Sequence, residues 1–235
     1  MLAVASSSIA TLLIPGGRRA HSRFCIPIIV DEISTCGIHP KSPLAELIVK
    51  AKLIIWDEAS MMHKHCFEAL DRSLRDIMRT QNNGNTDIPF GGKVVVLGGD
   101  FRQILPVIPK ATGQEVINAS INYSYLWHSC EVLTLSTNMR LLHGSSDTDI
   151  NKMKEFSEWI LGISDGTVGD VDDNDIQIEI PEDLLIQNSG DHIASIVDSI
   201  YPLLLDNMYD TSFFQDRAIL TPKNITIEEI NEYVL

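Results

Sequence analysis

The strongest constraint in this 235-residue sequence is the segment 52–60, an apolar run that ends abruptly in two adjacent carboxylates, Asp57 and Glu58. A short apolar run bounded by polar residues is typical of a strand buried on both faces, as in a parallel sheet with helices on either side. Sheets of this kind bind ligands at the carboxyl ends of their strands. The pattern therefore predicts an α/β fold with both carboxylates at the binding edge.

The two carboxylates have two interpretations. In the first, they form a Walker B arrangement, in which Asp57 holds a magnesium ion and Glu58 orients or deprotonates a water for attack on a terminal phosphate. In the second, the acidic residues simply begin a solvated loop. The pattern alone favours the loop, and only a second feature of the sequence can separate the two interpretations.

That second feature is another apolar run, residues 93–97, which ends in Gly98, Gly99 and Asp100. Two buried strands that each deliver polar groups at the carboxyl end indicate one shared site. The amide of Gln103, three residues further on, can contact both a phosphate oxygen and a water. The alternative for the Gly-Gly-Asp sequence is a turn with a side-chain cap.

The order of these motifs resembles the petite integration frequency (PIF-like) DNA helicases of superfamily 1, in the form also carried by Helitron-type transposons. The similarity runs through nearly the whole chain, and the Gly99-Asp100-x-x-Gln103 signature followed by Leu105-Pro106 is quite specific. The matching segments are 5–10, 20–24, 54–59, 99–107 and 138–140.

The resemblance implies a RecA-like parallel sheet flanked by helices, the P-loop NTPase fold. It implies a motor that couples hydrolysis of ATP, with Mg²⁺, to 5′-to-3′ travel along single-stranded DNA. The roles it implies are a magnesium ligand for Asp57, water activation for Glu58, a γ-phosphate sensor for Gln103 and charge stabilisation for Arg140. The alternative for Arg140 is a surface arginine that caps the sheet edge.

Candidate DNA contacts lie near the amino terminus. The hydroxyl of Ser7 follows the first predicted strand and is placed to bond a phosphate. The densest basic cluster comes next, with Phe24 beside it, and a cation beside an aromatic ring is typical of a single-strand channel. The alternative is a solvated basic loop. The cluster comprises Arg18, Arg19, His21 and Arg23.

The sequence departs from the resembled family at two of these places. Ser8 stands where family members have glycine, and Arg19 stands where they have threonine. The first departure puts the phosphate contact at the strand end in question. The second keeps affinity for phosphate but changes the specific contact.

Composition predicts a soluble globular protein, because 44% of the residues are hydrophobic and no apolar run approaches the length of a membrane span. No targeting signal is visible, so we expect an intracellular protein, and the resemblance implies the nucleus. The four cysteines lack metal-ligand spacing, so neither disulfides nor zinc are expected. His63 and His65 lie two residues apart and point to different faces of a helix, which favours a cap or a surface position over a metal site.

The net charge of −14 is unevenly distributed. Residues 1–140 hold 14 Lys and Arg against 12 Asp and Glu, whereas residues 141–235 hold 4 against 20. The acidity therefore belongs to the second half, and it leaves the first half free to bind a polyanion. Eight acidic and no basic residues between Asp165 and Asp183 predict a solvated linker.

The remaining patterns complete the predicted organisation. Residues 1–163 form a first RecA-like domain without its P-loop, 164–180 an acidic linker, and 181–235 covering elements and the start of a second RecA-like domain. Predicted strands span 2–5, 131–135, 181–186 and 217–222. Predicted helices span 9–13, 44–48, 61–80, 116–125, 152–163 and 193–205, with one more starting at 227.

No phosphate-binding loop of the form G-x-x-x-x-G-K-[ST] occurs in the sequence, so the chain resembles a helicase piece truncated at both ends. Two hypotheses follow. In the first, the chain is part of an ATP-dependent DNA helicase. In the second, it is a non-enzymatic remnant that at most binds single-stranded DNA weakly. Oligomeric state and cellular role leave no mark in the sequence.

Overall fold

The structure is a computed structural model that describes residues 1–82, 88–139, 147–172, 175–187 and 190–234. The chain divides into two compact units, Met1–Glu155 and Phe156–Leu235. The predicted functional residues that the structure describes all lie in the first unit.

A four-stranded sheet with the strand order β2-β1-β3-β4 organises the first unit, and its neighbouring strands are parallel. A parallel sheet with helices between successive strands confirms the predicted RecA-like α/β class. The strands are β1 (Leu2–Ala5), β2 (Arg18–Arg19), β3 (Leu53–Asp57) and β4 (Val94–Leu97).

Helices connect these strands, and serine side chains cap two of them. Ser7 caps the first helix by accepting the Ala10 N–H at 3.1 Å, and Ser42 caps the third by accepting the Ala45 N–H at 3.1 Å. Both serines satisfy an amide that the first turn of a helix leaves unpaired. The helices of the first unit are α1 (Ser8–Leu12), α2 (Ala20–Phe24), α3 (Pro43–Lys50), α4 (Lys64–Asn82) and α5 (Gly113–Asn118).

The core lies between the sheet and α4, and Trp56 is at its centre. Trp56 is fully buried, and its ring lies 4.5 Å from that of Phe67 and 5.9 Å from that of Phe24. Leu70 and Leu74, one helical turn apart on α4, are also fully buried. Burial alternates along β3, and Ile54 and Trp56 are its fully buried residues. The apolar run therefore forms a strand in the interior of the sheet, between β1 and β4.

A buried carboxylate on α4 fixes the segment that leads into β4. Asp71 is 1% exposed and accepts hydrogen bonds from the Phe90 N–H, from the Tyr125 hydroxyl at 2.7 Å and from the Arg75 Nε at 3.0 Å. Burial, together with this carboxylate, raises the pKa of Tyr125. Asp71 therefore joins α4 to the segment before β4, at Phe90, and to the segment after α5, at Tyr125. Because the Asp71 carboxylate is buried, water competes little for these bonds.

The second unit is mainly helical. Its two short strands, β5 (Asp170–Asp172) and β6 (Asp175–Gln177), pair in antiparallel fashion inside the segment predicted as an acidic linker. Among the described residues, no helix is both long and apolar enough to cross a membrane. The remaining helices of the chain are α6 (Asp147–Ser164), α7 (His192–Ile200), α8 (Leu204–Asn207), α9 (Thr211–Gln215) and α10 (Asn224–Val234).

Three predicted strands are wrong. Residues 131–135 and 217–222 form neither a helix nor a strand, and a 3₁₀ turn, Glu182–Leu184, replaces the strand predicted at 181–186. Leu133 and Leu135 are 82% and 97% exposed, so these two side chains lie in solvent. A strand needs a pairing partner as well as β-forming residues, and none lies beside these segments among the described residues.

Two predicted helices are shorter than expected. The helix expected over 193–205 ends at Ile200, and the separate helix Leu204–Asn207 follows it. The helix expected over 116–125 starts at Gly113, where Thr112 caps it, and ends at Asn118. Two 3₁₀ turns, Ile121–Tyr123 and Tyr125–Ser129, follow it. The interruption lets Ser124 donate to the buried Glu68 at 2.7 Å.

We expect Asp71→Asn to lower the free energy of unfolding by on the order of 3 kcal/mol, because it removes the charge that Arg75 and Tyr125 bind in a buried place. Urea unfolding followed by circular dichroism measures this change. Asp76→Asn is the matched control, since Asp76 is an exposed carboxylate on the same helix. Equal unfolding midpoints for both variants would contradict the assigned role of Asp71.

Candidate functional site

The carboxyl ends of β1, β3 and β4 meet at one edge of the sheet. Ala5 is in register with Asp57, and Trp56 is in register with Leu97. Beyond the strands the ladder continues, because the Gly98 N–H donates to the Trp56 carbonyl at 2.9 Å and the Ser6 N–H donates to the Asp57 carbonyl at 3.0 Å. We call the segment that directly follows a strand the exit of that strand. At this edge the predicted acidic pair therefore lies between the exit of β1 and the exit of β4.

The acidic pair occupies a tight turn. Asp57 is half-buried, and its Oδ1 accepts the Glu58 N–H at 3.0 Å. Glu58 has a φ of 53°, in the left-handed region that non-glycine residues seldom adopt. Such a conformation persists only where the surroundings enforce it. Here it bends the chain away from the sheet directly after β3 and into the 3₁₀ turn Ala59–Met61.

Two glycines let the exit of β4 lie directly on that turn. A Cβ atom on Gly98 would lie 3.2 Å from the Asp57 Oδ1, and one on Gly99 would lie 2.9 Å from the Ser60 backbone nitrogen. The second distance is too short for any side chain. The Ala59 N–H donates to the Gly98 carbonyl at 2.7 Å and joins the two turns.

Gln103 lies in a turn built on Asp100. The Gln103 N–H donates to the Asp100 carbonyl at 3.1 Å, and its side-chain Nε2 donates to the Asp100 Oδ2 at 3.4 Å. The side chain is exposed. The structure thus brings the backbone of residues 98–99 against the acidic pair, while the Gln103 amide is bonded to Asp100.

Two serines of this edge were missed by the sequence analysis. Ser6 accepts the indole N–H of Trp56 at 2.9 Å, and so ties the exit of β1 to the core. Ser60 is 2% exposed, and its Oγ has no hydrogen-bond partner among the residues that the structure describes. No sequence pattern signals either role, because both depend on which chain exits become neighbours.

The predicted DNA contacts begin at the same edge. Arg18 and Arg19 form β2 in register with Val4 and Ala5, and both arginines are exposed. Ser7 follows β1, and its hydroxyl already caps α1. A hydroxyl that accepts one hydrogen bond still has a proton to donate.

The remaining members of the basic cluster lie on α2. His21 and Arg23 are partly buried, and the Arg23 Nε has no hydrogen-bond partner in the described part of the chain. Burial and the charge of Arg19 lower the pKa of His21, and burial and the charge of Arg18 lower that of Arg23. Positive charge from β2 therefore acts on both titratable groups of α2.

The expectation that Phe24 adds a stacking surface to this cluster is wrong. Phe24 is fully buried, and its ring packs on Trp56 in the core. A short helix that begins at the sheet edge turns one side inward, and Phe24 lies on that side with Ala20. Its place beside arginines in the sequence therefore reflects packing of α2.

Of the two histidines after the acidic pair, His63 caps α4, and His65 bonds to a carboxylate within the helix. The His63 Nδ1 accepts the His65 N–H at 3.1 Å, and the His65 Nδ1 lies 2.8 Å from the Glu68 Oε2. This confirms the predicted cap interaction. In the described residues, no three His, Cys, Asp or Glu side chains form a group that could hold a metal. Arg140, the predicted charge-stabilising residue, lies outside the described residues.

Comparison with known proteins identifies the family. A family model described as PIF1-like helicase matches residues 1–174. The chain belongs to the PIF1-like helicase family. This confirms the resemblance carried by the motifs around Asp57 and Gln103.

Two curated PIF1-like relatives come from Trypanosoma brucei brucei (strain 927/4 GUTat10.1). The ATP-dependent DNA helicase PIF4 is 29% identical over 119 residues, which cover 49% of this chain and 14% of the relative. The ATP-dependent DNA helicase PIF1 is 42% identical over 67 residues, which cover 26% of this chain and 7% of the relative. This PIF1-like chain therefore matches only a small part of each relative's length.

Solved structures of PIF1-like helicases show the same fold. A Bacteroides Pif1 helicase in complex with ADP-AlF3 and single-stranded DNA matches with a TM-score of 0.56 and 24% identity, over 71% of this chain and 37% of that one. A double mutant of the Bacteroides helicase matches with a TM-score of 0.59 and 20% identity, over 100% of this chain and 46% of that one.

The cap at His63 predicts a pH dependence of stability. Burial, followed by the charges of His65 and Lys64, lowers the pKa of His63 from its ordinary value of 6.5, while Glu68 opposes the shift. The unfolded chain therefore takes up this proton at higher pH than the folded chain. Stability from the neutral cap is fully present above about pH 6.5 and is lost as the pH falls through the lowered pKa.

We expect the free energy of unfolding to fall less with acidification in His63→Asn, because asparagine can still cap the helix but does not titrate. The difference in slope is at most about 1.4 kcal/mol per pH unit, the value for one proton. Urea unfolding from pH 7.5 to 5 measures it (from roughly one unit above to roughly 1.5 units below the ordinary histidine pKa). His39→Asn, at an exposed histidine, is the control, and identical slopes in both variants would exclude the cap as the cause.

Proposed function

We propose that this chain contributes the acidic and sensor half of the nucleotide site of an ATP-dependent DNA helicase that moves 5′ to 3′. The observation that carries the proposal is the junction of the two chain exits, where the backbone of Gly98 and Gly99 lies against Asp57 and Ser60. Both curated relatives are named ATP-dependent DNA helicases. Parallel sheets bind nucleotides at this edge.

In this site Asp57 holds Mg²⁺ and Glu58 activates the attacking water. A single carboxylate fits a magnesium site, because Mg²⁺ keeps several waters and takes its other ligands from the phosphates. When bound, the ion offsets charge on the transferring phosphoryl group. Glu58 directly follows the proposed metal ligand, and its backbone lies in the enforced turn beyond β3.

Gln103 senses the γ-phosphate and Arg140 stabilises its developing charge. The Gln103 amide hydrogen-bonds to Asp100 in an exposed turn, so contact with a nucleotide requires it to exchange one weak bond for another. An arginine suits the second role because a guanidinium stays charged and binds phosphate through two parallel hydrogen bonds.

Single-stranded DNA is the proposed polynucleotide partner, bound through Ser7, Arg18, Arg19, His21 and Arg23. A Bacteroides Pif1 helicase has been solved with single-stranded DNA, which supports this assignment for the fold. Two exposed arginines in one short strand give the phosphate contacts that dominate such binding. We propose an intracellular and nuclear location on the same basis.

The alternative is a remnant that binds DNA weakly and hydrolyses nothing. It is favoured by the lack of a G-x-x-x-x-G-K-[ST] motif in this sequence. The backbone amides and lysine of that loop normally cradle the phosphates, and each charge-assisted hydrogen bond contributes roughly 1.5–3 kcal/mol. A site without them binds nucleotide chiefly through the metal.

Calorimetric titration separates the two functions. We expect ATP to bind the chain more tightly with Mg²⁺ than with a chelator, and Asp57→Asn to remove that difference, because the metal joins the carboxylate to the phosphates. Glu58→Gln should retain binding and abolish any turnover. Asp76→Asn, at an exposed carboxylate on α4, should behave like the unmodified chain. Binding that is indifferent to Mg²⁺ and to Asp57 would support the remnant.

Salt-dependent DNA binding tests the basic cluster. Arg18→Ala combined with Arg19→Ala should weaken binding to oligothymidine and reduce the slope of log K against log salt by about 1.4, since each phosphate contact to a single strand contributes roughly 0.7. Fluorescence anisotropy at several salt concentrations measures both effects.

The matched control is Lys52→Ala combined with Arg79→Ala. Lys52 directly precedes β3, and Arg79 lies near the end of α4, which runs back toward the start of β4, so both exposed cations lie at the amino edge of the sheet. The control removes the same charge and should leave the slope near that of the unmodified chain. Equal slopes in the two double variants would exclude Arg18 and Arg19 as phosphate contacts.

A further inference from the structure

Ser60 combines deep burial with an unpaired hydroxyl. The residue is 2% exposed, and its Oγ has no partner within the described part of the chain. Buried hydroxyls are nearly always hydrogen-bonded, because burying one without a partner is costly. An orphaned hydroxyl three residues beyond Asp57 therefore requires an explanation from its surroundings.

The surface that covers this hydroxyl is the backbone at the exit of β4. A Cβ atom on Gly99 would lie 3.2 Å from the Ser60 Oγ and 2.9 Å from its backbone nitrogen, so only a glycine can lie this close. The covering segment continues into the Asp100 turn that carries Gln103. Phe101 of that turn packs edge-on against Trp127, with ring centroids 6.0 Å apart.

Residues 98–103 are thus a short segment held at two points. The Gly98 carbonyl accepts the Ala59 N–H at its start, and the Phe101 ring contacts Trp127 near its middle. Between these two points Gly99 lies directly against Ser60, since a Cβ built on Gly99 would be 3.2 Å from the Ser60 Oγ. The backbone next to Gly99 is therefore close enough to offer Ser60 a hydrogen-bond partner after a small shift of the segment.

We propose that Ser60 is a positioning residue that links the acidic turn to the Gln103 turn. Its hydroxyl is unpaired when residues 98–103 lie closed, as here, and bonds to the Gly99–Asp100 backbone or to water when the segment shifts. The unpaired state favours the shift, so the hydroxyl sets how readily Gln103 moves relative to Asp57 and Glu58. The inference rests on the proposed nucleotide site for its function, but its physical content concerns the chain without nucleotide.

Hydrogen exchange of the unliganded chain tests the inference. In Ser60→Ala no unpaired hydroxyl favours opening, so we expect the amides of residues 98–103 to exchange about fivefold more slowly, while the free energy of unfolding stays the same or rises. Ser73→Ala is the matched control. Ser73 is also a buried serine, but its Oγ donates to the Ala69 carbonyl at 2.9 Å and accepts the Cys36 N–H at 2.8 Å, so its loss should destabilise the whole chain.

Gly99→Ala provides a second variant with the opposite expectation. Its Cβ would push the segment away from the Ser60 backbone, so exchange of residues 98–103 should become faster. The inference is overturned if Ser60→Ala destabilises the chain as much as Ser73→Ala, or if it leaves exchange of 98–103 unchanged. None of these measurements uses nucleotide, so failure of the proposed ATP site and failure of this inference give different results.

Discussion

Parallel pairing of three chain exits is the constraint on which the rest of this structure depends. β1, β3 and β4 end in register, and backbone hydrogen bonds continue past the last paired residues through Ser6, Gly98 and Ala59. Because these bonds close the edge, the chain after β3 has little freedom, and Glu58 is held in a left-handed conformation. The position of the acidic pair is thus a consequence of sheet pairing as much as of its own sequence.

Core packing and edge geometry are joined at Trp56. The ring packs between Phe24 and Phe67, while its indole N–H donates to Ser6 at the exit of β1. Phe24 in turn fixes α2, the helix that carries His21 and Arg23. A change in the core at Trp56 would therefore move both the acidic turn and part of the basic cluster.

The sequence predicted those features that local patterns determine. Apolar runs identified β1, β3 and β4, and helical spacing identified α4. The expectation that the run ending in β4 is buried is wrong, because Val94 and Val96 are 59% and 49% exposed on one face of that strand. Residues 131–135 have the composition of a strand, yet Leu135 is 97% exposed because strand formation also needs a neighbour, which no local pattern specifies. The same limit applies to Phe24, whose burial depends on where α2 docks.

The site was predictable to the same extent. Asp57, Glu58 and the two glycines follow directly from where strands end, so their meeting at one edge could be inferred. The Gln103 amide could not be placed, because its bond to Asp100 is a property of one turn. Ser60 could not be found at all, since its burial under Gly99 arises only when the exits of β3 and β4 come together.

The distance between the basic strand and the acidic pair determines how the proposed nucleotide and the proposed DNA could both bind at this edge of the sheet. Arg19 is in register with Ala5, and Ala5 with Asp57, so the basic strand and the acidic pair lie two strand spacings apart, about 10 Å. That distance slightly exceeds the Debye length of about 8 Å at physiological ionic strength. The arginines therefore offset little of the repulsion between Asp57, Glu58 and a triphosphate. In the proposed site a cation beside Asp57 would have to do so locally, which is the role assigned to Mg²⁺, and the arginine strand would stay available to the proposed DNA partner.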